Sequence, residues 1–307
     1  DFMSIVAVGN NQQGYYKIGP EHPPFICAEI GINHNGDVGL AKEMIQAAKY
    51  SGAHAVKFQK RNVDMAVPED QKNKLRETPW GTMKYIDYKK RMEFKEKDYD
   101  AIAEECKRLN MLWFASVWDT PSVEFLNKYK LPVYKIGSAT LTDYNVLSRV
   151  LKKRDPIVMS TGMSTMQEIE EAVTYMIEAH DRLILCHSTS IYPCPEDKLN
   201  LKFLKTLARR WPDLVLGYSG HEAGIGITQS AVAFGASYIE RHFTLSRTNK
   251  DGTPTFGSDQ EASLEPHEFK KMAEDCYSMW LATGDGIKVV YPEEEEKKKT
   301  LRVVVHA

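Results

Sequence analysis

No C-x-x-C pair occurs anywhere in the chain, and its five cysteines (Cys27, Cys106, Cys186, Cys194 and Cys276) are odd in number and scattered. That speaks against a disulfide framework and a structural zinc site, and the expected setting is a reducing, cytosolic one. There is no excess of one charge either. With 40 basic and 42 acidic side chains, a formal net charge of −2 speaks against a broad nucleic-acid surface, while leaving room for a small basic pocket. No apolar run reaches the roughly 18 residues of a membrane span, and no signal peptide is recognisable at the start, so no membrane partner is expected.

What is present is alternation. Residues 4–8 and 15–19 flank Asn-Asn-Gln-Gln-Gly and read as a β-hairpin. Eight short apolar runs follow, at 25–30, 54–59, 112–117, 132–137, 156–161, 183–188, 214–219 and 237–242. Segments with helical spacing separate them, near 38–50, 97–110, 120–129, 143–153, 165–179, 198–210 and 223–235, and an eighth lies at 266–283. Asp37, Thr120-Pro121 and Ser164 with Glu168 supply start signals. Eight strands each followed by a helix predict an α/β fold, a (β/α)8 TIM barrel, with a doubly wound open sheet as the alternative. The expected organisation is a hairpin and lead-in at 1–24, a barrel at 25–285 and a charged tail at 286–307. Two long connections, 60–96 and 243–265, both follow strands, which puts them on the C-terminal face where barrels build active sites.

Polar residues interrupt the apolar runs near their ends. Glu29 sits in the first, and Lys57 and Gln59 share a face of the second. Lys135 lies within the fourth, Ser219 and His221 share a face of the seventh, and Glu240 and His242 share a face of the eighth, with Arg241 on the other. Buried charges need partners, and all of these would meet at one barrel mouth. Two lysines, the hydroxyls of Ser116, Ser138, Ser160 and Ser219, and Arg241 as a further candidate suit a phosphate or carboxylate. The two histidines could share a divalent ion with open positions, Mn²⁺ being better suited than structural zinc. His34, His180, His187 and Cys27 compete for that role.

The motifs carrying these residues resemble the sialic acid synthases. They are Ala-Glu-Ile-Gly-Ile-Asn-His-Asn-Gly-Asp (28–37), Val-Lys-Phe-Gln-Lys (56–60), Tyr-Lys-Ile-Gly-Ser (134–138), Ser-Thr-Gly-Met (160–163), Gly-Tyr-Ser-Gly-His-Glu (217–222), Glu-Arg-His-Phe-Thr (240–244) and the block Gly257–Pro266. The resemblance spans about residues 25–285 and implies a (β/α)8 barrel that condenses phosphoenolpyruvate with an N-acetylhexosamine. The products would be a nine-carbon 2-keto-3-deoxy acid and phosphate, with Mn²⁺ or another divalent metal. It further implies that Lys57, Ser116, Lys135, Ser138, Ser160 and Ser219 hold phosphoenolpyruvate and that His221 and His242 bind the metal. Gln59, Tyr192 and Asp259 would contact the sugar, and Glu29 would serve in catalysis together with the two lysines. The implied route has C3 of phosphoenolpyruvate attack the sugar aldehyde, water capture C2, and phosphate leave by carbon–oxygen cleavage.

Three departures from the family pattern bear on the sugar. The family's C-terminal antifreeze-like domain, which in bacterial relatives swaps across a dimer and lends an arginine, has no counterpart in these residues. A homodimer is therefore expected by analogy only. Ala139-Thr140 replaces a glycine and an acidic residue, and Ser190 replaces an asparagine; both are expected near the sugar. N-acetylmannosamine, its 6-phosphate and the diamino sugars all remain candidates. Lys60 resembles the enzymes that use the 6-phosphate, and the loop lysines Lys72 and Lys74 with Arg76 read either as a phosphate receiver or as a solvated loop. The alternatives are a 3-deoxy-octulosonate 8-phosphate type synthase, against which the His221/His242 pair and the Asn33–Gly36 turn argue, and a non-catalytic sugar-binding barrel.

Overall fold

The structure is a computed structural model that describes residues 4–303. Its twelve strands are β1 (Val6–Asn10), β2 (Gly14–Ile18), β3 (Phe25–Gly31), β4 (Ala55–Lys60), β5 (Leu75–Arg76), β6 (Met83–Lys84), β7 (Leu112–Val117), β8 (Tyr134–Ile136), β9 (Ile157–Ser160), β10 (Leu183–Ser188), β11 (Val215–Gly220) and β12 (Tyr238–His242). β3, β4 and β7–β12 pair in parallel in chain order, and β12 pairs with β3 to close an eight-stranded barrel. Closure excludes the open sheet. The (β/α)8 expectation holds, as does the hairpin: β1 and β2 pair antiparallel from Val6↔Ile18 to Asn10↔Gly14.

The hairpin covers the N-terminal end of the barrel. Tyr16 packs edge-on against Phe25 and His54, at 5.4 and 5.0 Å between ring centroids. Gln13 donates to the carbonyl of Cys106 at 3.2 Å, just ahead of β7. The opposite end is left for the long connections.

Helices form where the apolar spacing of three and four residues gives each a face to bury. Met166–Tyr175 buries Ile169, Ala172 and Val173, while Val38–Tyr50 buries Ala41, Met44, Ile45 and Ala48. Each large aliphatic side chain so buried contributes about 1.5–3 kcal/mol before entropy is counted. Asp37 caps its helix as expected, accepting from the amides of Gly39 and Leu40. Two start signals move by one residue. Asp119 caps the helix holding Pro121, and Thr165, not Ser164, forms the capping box with Glu168. A box needs its acid three residues on, which only Thr165 satisfies. The expected helix at 223–235 shrinks to Thr228–Ala233, because Gly224, at φ +70°, begins the turn ahead of it.

The 60–96 connection folds into two one-turn helices, the β5–β6 hairpin and the helix Tyr85–Met92. The 243–265 connection carries the short helix Ser258–Glu261. In the tail, Pro292–Leu301 is an exposed helix with buried residues nowhere along it. The tail's Leu-Arg-Val-Val-Val, residues 301–305, is apolar enough to read as β-like from the sequence; it starts at that helix's last residue, and 304–305 lie outside the described residues. No helix among the described residues is long and apolar enough to cross a membrane, and all five cysteines are free and buried.

Candidate active site

Parallel barrel strands point alternate side chains inward, and register decides which of them meet. Glu29 pairs with Lys57 and with His242, Ser116 with Lys135, and Ser219 with Glu240. At the end of β3 the register slips between Glu29 and Gly31, a bulge that leaves Ile30 unpaired. Gly31 takes φ +56°, and a Cβ there would stand 3.2 Å from Glu29 Oε1 and 3.1 Å from Gln59 Nε2. A glycine thus leaves the Glu29 carboxylate its space.

Four charges occupy the floor of the mouth, all of them buried. Lys57 Nζ lies 2.7 Å from Glu29 Oε2 and 3.5 Å from Glu240 Oε1. Lys135 Nζ lies 3.1 Å from Glu240 Oε2 and donates to Ser160 Oγ at 2.7 Å. Glu240 also accepts from Tyr238 Oη at 2.6 Å and from Ser219 Oγ at 3.2 Å, and Glu29 Oε1 accepts from Gln59 Nε2 at 3.0 Å. Glu240 is the hub that the sequence reading left without a role, although strand parity had already put it on the face of His242.

The two carboxylates differ in environment. Burial raises the Glu29 pKa, and Lys57 and His242 only partly offset it. Burial also acts to raise that of Glu240, but Lys135 and Lys57 outweigh it and hold this carboxyl well below its ordinary range. The ammonium of Lys57 would be discharged by burial alone; Glu240 and Glu29 instead push its pKa up.

Two adjoining cavities open above this floor. The inner one, about 110 Å³, is lined by Lys57, Lys135 and all four expected serines, with Glu29, Glu240, His221 and His242. The outer one, about 530 Å³, lies between the two long connections and has Asp259, Ser190, Arg61, Lys89 and Arg76 in its wall. Gln59, Tyr192 and His242 line both, so they mark the junction. The expected phosphoenolpyruvate residues therefore fall together in one chamber, and the expected sugar residues in the next.

At the junction the His221 and His242 rings stand 5.5 Å apart, with the Tyr192 ring tilted at 45° to His221 and 4.1 Å from it. His221 Nδ1 meets the Thr189 carbonyl at 2.8 Å, which assigns the proton to Nδ1 and leaves Nε2 as a lone-pair donor. Burial and the neighbouring His242 lower the His221 pKa to about 3, so the ring is neutral. His242 Nδ1 is buried without a hydrogen-bond partner. Among the described residues no three of His, Cys, Asp and Glu stand close enough to enclose an ion by themselves.

Several candidates move elsewhere. Arg241 leaves the anion cradle: its guanidinium is fully buried behind β12, 3.0 Å from Glu222 Oε1 and donating to Thr228 Oγ1 at 2.6 Å. It points outward because its neighbours Glu240 and His242 point inward. Cys27 sits in the barrel interior in register with Glu240, and burial pushes its thiol well up. His34 stacks on Phe94 at 3.8 Å and accepts from the Gly36 amide, while His187 meets the Leu199 carbonyl. His180 lies in the two-turn 3-10 helix Ile177–Arg182. Lys60 turns away to Glu93 at 2.6 Å and over the Phe125 ring at 4.6 Å. Lys72 and Lys74 pair with Glu69 and Asp70, leaving Arg76 as the loop cation in the chamber wall. Ser190 lies in the outer wall as expected, but Ala139 and Thr140 line the inner cavity. In the Asn33–Gly36 turn, Asn33 is tied to the Phe243 carbonyl and Ser263 Oγ, at 2.9 and 2.8 Å, and Asn35 faces the outer cavity.

Fold and site together define a (β/α)8 barrel with a two-chambered polar site at its C-terminal face, the arrangement of a barrel enzyme. The model of the NeuB family matches residues 44–288. This chain belongs to the NeuB family. It is 35% identical over 283 residues to the N-acetylneuraminate-9-phosphate synthase of Mus musculus, covering 90% of this chain and 76% of the relative. To the N,N'-diacetyllegionaminic acid synthase of Campylobacter jejuni it is 34% identical, covering 90% and 82%. The crystal structure of the N-acetylneuraminic acid synthetase of Leptospira borgpetersenii in complex with citrate matches with a TM-score of 0.84 and 31% identity, over 98% of both chains. A truncated 3-deoxy-D-arabino-heptulosonate 7-phosphate synthase of Thermotoga maritima, at 15% identity, covering 92% of this chain and 94% of that chain, and a TM-score of 0.67, shares the fold alone.

Proposed function

We propose that this protein is a nonulosonic acid synthase, condensing phosphoenolpyruvate with an N-acetylhexosamine and water to give a nine-carbon 2-keto-3-deoxy acid and phosphate. The observation that carries the reading is the small inner cavity, walled by two lysines and four serines, opening into a larger polar one. Phosphoenolpyruvate is compact and highly charged; an amino sugar is larger and rich in hydroxyls. The relatives named above support the same reaction class.

In this scheme Lys57 and Lys135 take the carboxylate and phosphate of phosphoenolpyruvate, with Ser116, Ser138, Ser160 and Ser219 completing the hydrogen bonds. Glu240 is a positioning residue: within 3.5 Å of Lys57 and 3.1 Å of Lys135, it holds both lysines in place when no anion is bound. Gln59, Tyr192 and Asp259 hold the sugar with its aldehyde at the junction. The C2–C3 π pair of phosphoenolpyruvate forms a bond to the aldehyde carbon, leaving an alkoxide there and a cationic C2. Water adds at C2, and Glu29 takes one of its protons and passes it to the alkoxide. The C2–O bond to phosphate then breaks as C2 becomes a ketone, and the second water proton leaves with the phosphate. A carboxyl whose pKa is raised by burial is suited to that proton.

The residues at the junction fit a divalent metal. His221 presents a free Nε2, and His242 has an orphaned ring nitrogen, so two neutral imidazoles are available. They would hold the ion with water and substrate filling its other positions, and an ion such as Mn²⁺ supplies Lewis-acid polarisation of the aldehyde. A catalytic barrel over 25–285, flanked by the 1–24 hairpin and the 286–307 tail, a homodimer and a cytoplasmic setting belong to the same proposal.

The test is incubation with Mn²⁺, phosphoenolpyruvate and a panel of N-acetylhexosamines, with and without 6-phosphate. Phosphate release and a nine-carbon product by mass spectrometry are expected. A folded, metal-loaded protein that releases no phosphate with any member would remove the reading. Release with arabinose 5-phosphate instead would assign it to the octulosonate type.

A further inference from the structure

The outer cavity contains more positive charge than a neutral sugar needs. Lys89 is half-buried in its wall, with its ammonium 5.3 and 5.5 Å from the ring centres of Tyr85 and Tyr88. Its backbone carbonyl accepts from the Glu93 amide at 3.1 Å, but among the described residues its ammonium has neither a hydrogen bond nor an ion pair. Burial, then the charge of Arg61, lower its pKa to about 8, with Asp259 and Glu93 opposing. Arg61 is itself buried, with its guanidinium 4.3 Å from the Trp118 ring. Its Nε has no hydrogen-bond partner, and Glu93 Oε2, 3.6 Å away, belongs to a carboxylate already paired with Lys60 at 2.6 Å. One carboxylate thus serves two cations, and Lys89 adds a third. Arg76, whose guanidinium lies 5.4 Å from the Tyr85 ring, completes the basic wall.

The same wall holds two acids, Glu77 and Asp259, so its three cations outnumber its carboxylates by one, and neither the Lys89 ammonium nor Arg61 Nε is engaged by either acid. Cations left over in a half-dry site are costly in the empty state, and a dianion relieves that cost. The inner lysines meet the charge of phosphoenolpyruvate, so these outer cations require a different anion. Lys89, Arg61 and Arg76 line only the outer cavity, while the aldehyde end of the sugar belongs at the junction. We propose that the amino sugar arrives phosphorylated at the end remote from its aldehyde, and that Lys89 and Arg61, backed by Arg76, are the residues that select the phosphate ester. For the identity of the sugar this inference rests on the proposed synthase function.

The test separates the two by measuring binding without turnover. N-acetylmannosaminitol 6-phosphate and N-acetylmannosaminitol lack the aldehyde and cannot react. Calorimetry on the Mn²⁺-loaded protein is expected to show the phosphorylated alditol binding at least tenfold tighter. Lys89→Gln should shrink that ratio to threefold or less, while Lys89→Arg restores it; Lys89 is half-exposed, so both variants should fold. Equal affinity for the two alditols, or a ratio unmoved by Lys89→Gln, overturns the inference. Inorganic phosphate binding as tightly as the phosphorylated alditol overturns it too, because the site would then belong to the free anion. A preserved preference in a protein that releases no phosphate with any sugar would instead count against the synthase function alone.

Discussion

Lys57 Nζ stands between two carboxylates, 2.7 Å from Glu29 Oε2 and 3.5 Å from Glu240 Oε1, and these two acids do different work. Glu29 faces the junction and has its pKa raised by burial; Glu240 lies deeper and is held ionised by both lysines. An enzyme needing one proton-handling acid and one acid that stays ionised beside two lysines requires such a division.

Glu29→Gln should keep phosphoenolpyruvate affinity within a few-fold, since an amide can still accept from Lys57. Turnover should fall by about 10²–10⁴, the range of general acid–base contributions. Calorimetric titration with phosphoenolpyruvate and a phosphate-release assay on the same sample check the pair. A near wild-type rate removes Glu29 from the mechanism.

Glu240→Ala should act mainly on stability, because it strands the buried Lys135 ammonium and leaves Lys57 with Glu29 alone. Breaking a buried ion pair costs about 3–5 kcal/mol, measurable by urea unfolding. The pH dependence has a definite sign. The folded pKa of Glu240 is depressed, so its stabilisation is present above the unfolded value of about 4.3 and is lost as pH falls below it. The variant should therefore have a flatter acid limb in a plot of Tm against pH.

Arg241→Met tests the reassignment of that residue from ligand cradle to scaffold. It leaves Glu222 buried with a charge and without its arginine, so stability should drop by about 3–5 kcal/mol. Phosphoenolpyruvate affinity of the folded protein should stay within twofold. Adding Glu222→Gln should recover part of the stability, and a double-mutant cycle measures how much.

Metal removal should abolish phosphate release, and added Mn²⁺ should restore it. In the His221→Ala/His242→Ala double variant, addition should not restore it, while circular dichroism should show an intact fold. Full activity after exhaustive chelation would exclude a role for the ion.

Hydrophobic period and strand count were enough to specify the barrel from the residues alone, because a parallel strand buried on both faces reads as a short apolar run. Polar residues within such runs, Glu29, Lys57, Lys135 and His242 among them, were equally legible, since burial makes each one conspicuous. Strand parity already turned Arg241 away from Glu240 and His242. Its partner Glu222, 19 positions back on another strand's exit, appears only when β11 and β12 are side by side. Glu240 became a hub for the same reason: closure of the ring brings β4, β8 and β12 to one point, and no local pattern encodes that convergence. The outer cavity was least visible. Lys89 and Arg61 are 28 positions apart in a long connection, and what joins them is the folding of that connection over the mouth. The sequence by itself determined the architecture and which side chains face inward. Tertiary structure alone decided which charges neutralise one another and which are left over, because electrostatic partnership depends on distance in space.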